Sequence, residues 1–277
     1  MCTTCGCSED ATPRMTDLNT GLTVDLRSHY GDHDHDHGHE HGHDHHHGDH
    51  VHVDGKTIVL EEAVLAKNDR LAERNRGWLQ ARHVVALNLV SSPGSGKTTV
   101  LERTIHDLKD ELPIHVIEGD QETVNDAERI RKTGCRVVQI NTGAGCHLEA
   151  DMVARGIEQL APPPHSLVMI ENVGNLVCPA LFDLGEQAKV VVLSVTEGED
   201  KPLKYPHMFR AAQVMLLNKI DLLPYLKFDV EGCLQHARTV NPHLEIFLVS
   251  AISGDGMQEW YGWLRKQVKR AAEAILY

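Results

Sequence analysis

Three cysteines lie within the first seven residues of the 277-residue chain. Cys2, Cys5 and Cys7 form a C-x-x-C-x-C pattern beside the terminal amine, and Gly6 allows this short segment to fold back. Three soft thiolates and one nitrogen suit square-planar Ni(II), although tetrahedral Zn(II) or Cu(I) could compete for the same donors. The pattern therefore predicts a metal site built on Cys2, Cys5 and Cys7.

A run of histidines follows between residues 29 and 52, where 12 of the chain's 20 histidines stand among aspartates and glycines. Their spacing is irregular, so the run offers many imidazoles without the fixed geometry of a closed site. We predict a weak reservoir for several Ni(II) or Zn(II) ions, which empties as the imidazoles protonate below about pH 6.5. A solvated spacer without metal is the alternative. The predicted ligands are His33, His35, His37, His39, His41, His43, His45, His46 and His47, followed by His50 and His52.

A phosphate-binding sequence, Ser91-Ser-Pro-Gly-Ser-Gly-Lys-Thr98, follows a short β-branched run. Its glycines let backbone N–H groups close on phosphate, Lys97 can reach the β- and γ-phosphates, and the Thr98 hydroxyl can bind magnesium. Ser91 stands where the strict P-loop pattern has glycine, but the position between a predicted strand and a predicted helix supports a P-loop. The predicted nucleotide contacts here are Gly94, Ser95, Gly96, Lys97, Thr98 and Thr99.

Asn218-Lys-Ile-Asp221 comes at the end of a later predicted strand, where loops at carboxyl ends form the ligand crevice. The Asp221 carboxylate can accept hydrogen bonds from the N1–H and 2-amino groups of guanine, which adenine does not offer. Ser250 and Ala251 follow the next strand and resemble the loop that supports such a motif. The order of these motifs after the P-loop predicts a GTPase, with nucleotide contacts at Asn218, Lys219, Asp221, Ser250 and Ala251.

Carboxylates after two other strands could hold magnesium. Glu171 begins Glu171-Asn-Val-Gly174, where GTPases place D-x-x-G, and Glu118-Gly-Asp120 follows the second strand. Hard oxygen ligands suit Mg²⁺, so we predict Thr98, Asp120 and Glu171 as its ligands, either directly or through water. No glutamine stands out as the residue that positions water. Asp120 is therefore the predicted catalytic residue beside Lys97, and slow turnover is expected.

A third set of soft ligands lies near these carboxylates. Cys146 and His147 are adjacent, and Cys178 lies seven residues after Glu171. A Cys–His pair on one loop cannot complete a tetrahedral site unaided. From the residues alone, a metal site and a pair of buried structural cysteines are equally good interpretations.

These groups need a scaffold, and the sequence divides into three parts. Residues 1–55 are polar and rich in histidine, so they are predicted to be a metal-binding tail that is disordered without metal. Residues 56–82 place Leu60, Val64, Leu71 and Trp78 near one helical face, which predicts a linker helix. Residues 83–277 are predicted to form the GTPase domain.

Within residues 83–277, short apolar runs alternate with helix-length polar segments. This pattern indicates a mostly parallel sheet covered on both faces, so the predicted fold is an α/β, three-layer P-loop NTPase fold. A final helix is predicted from about Met257. The predicted strands are Val84–Val90, Ile114–Ile117, Val137–Ile140, Leu167–Ile170, Val190–Val195, Val214–Leu217 and Ile246–Val249.

Charge and composition exclude several classes of protein. The net charge is −13, and residues 1–55 hold 11 of the 40 acidic residues but only two of the 27 basic ones, so nucleic acid is a poor partner. The sequence shows neither a secretory signal nor an apolar run of the roughly 18 residues that a membrane helix needs. We expect a cytoplasmic protein whose reduced cysteines bind metal rather than form disulfides.

Together these motifs resemble the HypB family of hydrogenase nickel-incorporation GTPases, which belongs to the SIMIBI class of P-loop metallochaperone GTPases. The resemblance covers essentially the whole chain. It rests on Cys2-Thr-Thr-Cys-Gly-Cys7, the histidine run, Ser91-Ser-Pro-Gly-Ser-Gly-Lys-Thr98, Gly145-Cys-His-Leu148, Glu171-Asn-Val-Gly-Asn-Leu-Val-Cys-Pro179, Glu197-Gly-Glu-Asp-Lys-Pro202 and Asn218-Lys-Ile-Asp221.

The resemblance implies a homodimer that forms when GTP is bound, with a nickel or zinc site at its interface on Cys146, His147 and Cys178. It also implies tight nickel binding at Cys2, Cys5 and Cys7, and an approach of Lys201 to the guanine, which could occur across the dimer. The implied partners are a HypA-type nickel metallochaperone and the precursor of the [NiFe]-hydrogenase large subunit, and the implied cofactors are GTP or GDP, Mg²⁺, Ni²⁺ and Zn²⁺.

Two other functions remain as alternatives. One is a GTPase of the urease accessory type, against which the terminal cysteines and Cys178-Pro-Ala argue, because that family has Cys-Pro-His. The other is a metal-storage protein with a vestigial nucleotide site.

Overall fold

A computed structural model describes residues 13–26, 55–120, 125–143 and 145–274, with only the backbone described for residues 55–62. Cys2, Cys5 and Cys7 lie outside these ranges, as does the histidine run from His33 to His52. The metal sites proposed for them therefore stay predictions.

The described residues form one nine-stranded sheet with the order β2-β1-β5-β4-β6-β3-β7-β8-β9. The seven strands from β3 to β9 are parallel, as predicted, and side chains of β3, β7 and β8 are buried on both faces. The strands are β1 (Arg14–Asp17), β2 (Thr23–Asp25), β3 (Val85–Ser91), β4 (Ile114–Asp120), β5 (Arg136–Asn141), β6 (Leu167–Gly174), β7 (Ala188–Ser194), β8 (Val214–Asn218) and β9 (Glu245–Leu248).

Helices cover both faces of this sheet, which confirms the predicted three-layer α/β fold. One face packs against α2, α3 and α8, and the other packs against α1 and α4 at one end and against α6 and α7 at the other. None of the helices described here is long and apolar enough to span a membrane. The helices are α1 (Gly55–Ala81), α2 (Lys97–Leu108), α3 (Asn125–Arg131), α4 (Ala150–Leu160), α5 (Lys201–Lys204), α6 (Pro206–Ala211), α7 (Val230–Val240) and α8 (Met257–Glu273), with 3₁₀ turns at Cys178–Ala180 and Ile220–Tyr225.

Part of the predicted tail belongs to the sheet. Strands β1 and β2 form a hairpin, and β1 pairs antiparallel with β5. Met15 and Leu26 are each only 7% exposed and join the core between the sheet and α4. The prediction of a tail over residues 1–55 is therefore wrong for this stretch, because its few apolar side chains are buried on an existing core rather than on one of their own.

Helix α1 was predicted as a linker, but it packs along the sheet beside α4. The side chains that face the protein are Asn68, Ala72, Asn75 and Leu79, spaced as one helical face. Val64 and Trp78 of the predicted apolar face are exposed instead. The helix is thus held largely by buried amides, which a search for apolar periodicity does not detect.

The two buried asparagines bind the first residue of α4. Asn68 Oδ1 accepts a hydrogen bond from the Ala150 N–H at 2.9 Å. Asn75 Nδ2 donates to the carbonyl oxygens of Ala150 and Leu184 at 2.8 and 3.0 Å. Because buried backbone groups need partners, these bonds fix α1 against the start of α4.

Replacement of Asn75 tests this docking. We expect Asn75→Ala to lower the free energy of unfolding by about 1–3 kcal/mol, because two buried carbonyl groups lose their donor. Urea unfolding measures the change, and Gln80→Ala, an exposed position on the same helix, is the matched control. A loss no larger for Asn75→Ala than for Gln80→Ala would show that α1 does not dock in this way.

Candidate functional site

The P-loop connects the end of β3 to the start of α2. Gly94 and Gly96 both have positive φ, +77° and +94°, a conformation that suits glycine. A Cβ atom on Gly96 would lie 2.5 Å from Nδ2 of Asn218. Glycine is therefore required at 96 both for the turn and for the close approach of β8. The loop leads directly into the start of α2, and a glycine-rich loop before a helix is the arrangement that binds phosphate in P-loop proteins.

The predicted guanine-binding residues meet at the carboxyl ends of β8 and β9. Asn218 donates through Nδ2 to the Ser95 carbonyl at 3.0 Å and accepts through Oδ1 from the Ala251 N–H at 3.3 Å. The Ser250 hydroxyl donates to Asp221 Oδ1 at 2.5 Å. Asn218 thus joins the P-loop to the Ser250-Ala251 loop, and Ser250 orients the carboxylate expected to read the base.

Two lysines also approach the P-loop. Lys219 Nζ donates to the Gly94 carbonyl at 2.6 Å. Lys201 Nζ donates to the Ser92 hydroxyl at 2.9 Å and pairs with Glu197 at 3.0 Å. Both lysines therefore lie at the predicted nucleotide site of their own chain, and a role for Lys201 across a dimer stays a prediction.

Two glutamates lie side by side next to the P-loop. Glu118 of β4 is the register partner of Glu171 of β6, and each is only 2% exposed. Glu171 Oε1 accepts a hydrogen bond from the Thr98 hydroxyl at 2.6 Å and lies 3.4 Å from Lys97 Nζ. The residues expected to bind phosphate and magnesium therefore share one carboxylate.

Burial and mutual repulsion make this pair reluctant to ionise. Burial, then the nearby charges of Glu171 and Asp120, raise the pKa of Glu118 to about 9, so it carries a proton at neutral pH. Burial also raises the pKa of Glu171, against the opposing effects of Lys97 and Thr98. A bound cation would favour the ionised form of both carboxyl groups and offset the repulsion between them.

The residues fit a magnesium ion. Among the described residues, the Oε2 atoms of Glu118 and Glu171 are buried and have no hydrogen-bond partner, and Thr98 contacts Glu171. These are the hard oxygen donors that Mg²⁺ prefers. Asp120, at the end of β4, lines the same cleft. Glu118, which the sequence marked only as a further candidate, is more deeply placed than Asp120.

The cleft that contains these groups has a volume of about 510 Å³. Its lining includes Arg129 of α3, which sequence reasoning missed, because no local motif marks this residue. Arg129 is held by Glu102 at 2.5 Å and by Asp126 at 3.0 Å. The lining residues are Ser91, Ser92, Pro93, Gly94, Ser95, Gly96, Lys97, Thr98, Thr99, Glu118, Gly119, Asp120, Asp126, Arg129, Glu171, Asn172, Val173, Gly174 and Lys219.

The third predicted ligand set converges as well. One ligand atom from each of Cys146, His147 and Cys178 lies within 4.8 Å of the others. The two Sγ atoms are 2.9 Å apart, and Cys146 Sγ is 3.6 Å from His147 Nδ1. Burial lowers the pKa of His147 to about 4, so its imidazole stays neutral and able to bind a metal. The geometry favours a metal site over two structural cysteines.

Two asparagines connect this cluster to the end of β6. Asn172 Oδ1 accepts a hydrogen bond from the N–H of Leu148, which follows His147, at 3.2 Å. Asn175 donates to the Cys146 carbonyl at 3.4 Å and accepts from the Val177 N–H at 2.8 Å. Asn172 directly follows Glu171, so the strand that meets the P-loop also holds the loops of the cluster. The sequence motif contained both asparagines but gave them no role.

Comparisons with known proteins agree with this arrangement. The CobW/HypB/UreG nucleotide-binding domain family matches residues 85–248. The hydrogenase maturation factor HypB of Escherichia coli (strain K12) is 63% identical over 212 residues, which cover 76% of this chain and 73% of that protein.

Two solved structures are also similar. HypB from Archaeoglobus fulgidus is 40% identical with a TM-score of 0.69, covering 73% of this chain and 99% of that one. HypB from Helicobacter pylori in complex with nickel is 36% identical with a TM-score of 0.70, covering 76% of this chain and 99% of that one. Both the family match over a P-loop domain and the identity to these relatives lead to one conclusion: this chain belongs to the HypB family of hydrogenase maturation factors, within the CobW/HypB/UreG nucleotide-binding proteins.

Proposed function

We propose that this chain is a cytoplasmic GTPase that binds nickel and uses GTP binding and hydrolysis to control nickel delivery to the [NiFe]-hydrogenase large-subunit precursor. The observation that carries the proposal is that β6 and the segment after it contact both the P-loop and the metal cluster. Glu171 contacts the P-loop residues Lys97 and Thr98, and the segment that follows brings Cys178 to Cys146 and His147. The nickel-bound HypB of Helicobacter pylori supports nickel as the cargo.

GTP would bind across the carboxyl ends of the parallel strands. The P-loop backbone and Lys97 would hold the phosphates, and the Asp221 carboxylate would accept hydrogen bonds from guanine. Thr98, Glu171 and Asp120, with Glu118 beside them, would hold a magnesium ion, which supplies positive charge to the transferred phosphoryl group when bound. Asp120 is the candidate to orient the attacking water. We expect turnover to be slow.

Nucleotide binding should affect metal binding, because GTP and Glu171 share the same partners in the P-loop. The phosphates of GTP compete with Glu171 for Lys97 and Thr98, so GTP binding and hydrolysis should change the contacts of Glu171. A shift at Glu171 would reach the His147 loop through the hydrogen bond that the Leu148 N–H donates to Asn172 Oδ1. It would reach Cys178 through the same chain segment. Nickel affinity would then differ between the GTP and GDP complexes.

The metal cluster supplies three ligands, two thiolates and one imidazole, which suit nickel or zinc. A site with three protein ligands leaves a coordination position open, so a partner can take the metal by ligand exchange. We propose that a GTP-dependent homodimer closes this site and that a HypA-type metallochaperone receives the nickel. The similarity to hydrogenase maturation factors supports a role within the hydrogenase maturation machinery.

Replacement of Lys97 tests the role of the nucleotide. Lys97→Ala should weaken GTP binding about 10- to 100-fold, because a charge-assisted phosphate contact is lost, and should abolish turnover and nickel delivery in cells. Lys109→Ala, at the opposite end of α2, is the matched control. GTP binding is measured by calorimetry, and delivery by hydrogenase activity of cells carrying the variant. A metal-storage protein would instead deliver nickel equally well with Lys97→Ala.

Replacement of Cys178 tests the metal cluster. After weakly held ions are removed with a competing chelator, Cys178→Ser should bind one nickel ion fewer per chain, with at least a roughly 100-fold loss of affinity at this site. Cys233→Ser is the control, because Cys233 is buried within α7 away from the cluster. Nickel and zinc content are measured by mass spectrometry. Equal metal content in the two variants would contradict a site at Cys178.

A further inference from the structure

Four polar side chains form a connected group inside the sheet. Asn88 of β3 and Lys189 of β7 are register partners, and Asn172 of β6 and Glu186, two residues before β7, complete the group. None of the four is more than 8% exposed. We call these four residues the buried network. Polar side chains are seldom buried in a core without a full set of partners, so their contacts indicate what the network does.

The ammonium group of Lys189 holds the turn that carries Cys178. Its Nζ atom donates to the Pro179 carbonyl at 2.8 Å and to the Phe182 carbonyl at 3.1 Å, and it lies 3.6 Å from Oε1 of Glu186. Pro179 directly follows Cys178 in the same 3₁₀ turn. Because a buried ammonium group needs acceptors and these carbonyl groups need donors, the contacts fix the turn against β7.

The segment that Lys189 holds also contacts the imidazole of the metal cluster. The Phe182 ring packs on the His147 ring, with centroids 3.9 Å apart and planes inclined by 32°. Within the described part of the chain, Nε2 of His147 is buried and has no hydrogen-bond partner. Because no hydrogen bond at Nε2 orients the imidazole, its tilt depends on the packing of Phe182.

The other end of the buried network reaches the loop of His147. Oε1 of Glu186 accepts a hydrogen bond from Asn88 Nδ2 at 3.1 Å, and Asn88 Oδ1 accepts one from Asn172 Nδ2 at 3.2 Å. Asn172 Oδ1 in turn accepts from the Leu148 N–H. The two chain segments that supply the cluster's ligands are therefore joined through one set of buried hydrogen bonds.

Glu186 is the best-held member of this network. Its Oε2 accepts a hydrogen bond from the Leu184 N–H at 2.7 Å, and its carbonyl oxygen accepts one from Arg76 Nη1 of α1 at 2.9 Å. These partners remain when Lys189 is changed. Loss of the Lys189 ammonium group should therefore release the turn of Cys178 rather than displace Glu186.

We propose that Lys189 is a positioning residue that sets the nickel affinity of the metal cluster. Its ammonium group fixes the turn of Cys178, and the rest of the buried network fixes this turn relative to the loop of His147. Residues that orient metal ligands in this way typically change metal affinity by about 10- to 100-fold when they are replaced. The inference rests on the proposed function, because the cluster must bind nickel for the placement of its ligands to matter.

The test is the dissociation constant of nickel in a full chain with Cys2, Cys5 and Cys7 replaced by serine, with GDP bound and a chelator that removes weakly held ions. Lys189→Met keeps an unbranched apolar side chain and removes the three donors of the ammonium group. Nickel should bind roughly 10- to 100-fold more weakly, and the nickel–thiolate absorption bands should shift, because the ligands change position. GTP binding without nickel should stay unchanged, which reports an intact fold.

A second variant separates positioning from loss of stability. Lys189→Met alone leaves Glu186 without its cation, which destabilises a core. Lys189→Met with Glu186→Gln removes both charges at similar volume, yet the Cys178 turn still loses its donor, so the loss of nickel affinity should persist. Lys269→Met with Glu273→Gln removes an exposed ion pair of the same kind on α8. This control should bind nickel as tightly as the chain in which it is made.

The outcomes distinguish this inference from the proposed function. Unchanged nickel affinity in the double variant, or an equal loss in the control, would overturn the inference and leave the GTPase and the cluster in place. If Lys189→Met does not fold, the double variant decides alone. If Cys178→Ser in the same chain binds nickel as tightly as the chain that keeps Cys178, the cluster is not a nickel site, and both the inference and the proposed function fail.

Discussion

The contact of Glu171 with Thr98 and Lys97 is the interaction on which the site depends. It places a buried carboxylate at the P-loop, one strand away from Glu118, which is buried as well. Two such groups are costly to keep together unless one is protonated or a cation lies between them. The fold therefore holds two buried carboxyl groups at the point where phosphates and a divalent cation would meet.

Because Glu171 lies in the second half of β6, a change in its partners would act on the residues that follow. Asn172 and Asn175 fasten this segment to the loop of Cys146 and His147, and Cys178 completes the cluster. Few hydrogen bonds separate the nucleotide cleft from the thiolates. A short connection of this kind would be a physical route for the proposed coupling.

The sequence predicted those parts whose chemistry lies in contiguous motifs. The P-loop and the parallel strands depend on local patterns that the structure confirms, and the loop of Asp221 lies at the carboxyl end of β8. The hairpin of β1 and β2 was missed, because strands of four and three residues with few apolar side chains depend on the core of a distant strand. The packing of α1 was misread, since Asn75 is buried for its hydrogen bonds. Arg129 lies at the cleft only because the fold brings α3 to it, and no local sequence pattern indicates that position.

The central claim is that β6 and the segment after it connect the nucleotide cleft to the nickel cluster. The most direct measurement is the dissociation constant of nickel at the Cys146, His147 and Cys178 cluster, in a full chain with Cys2, Cys5 and Cys7 replaced by serine. It is determined with GDP and with a non-hydrolysable GTP analogue, against a chelator that removes weakly held ions. A coupling of about 1–3 kcal/mol predicts constants that differ about 5- to 150-fold between the two nucleotides. Equal constants would contradict the account.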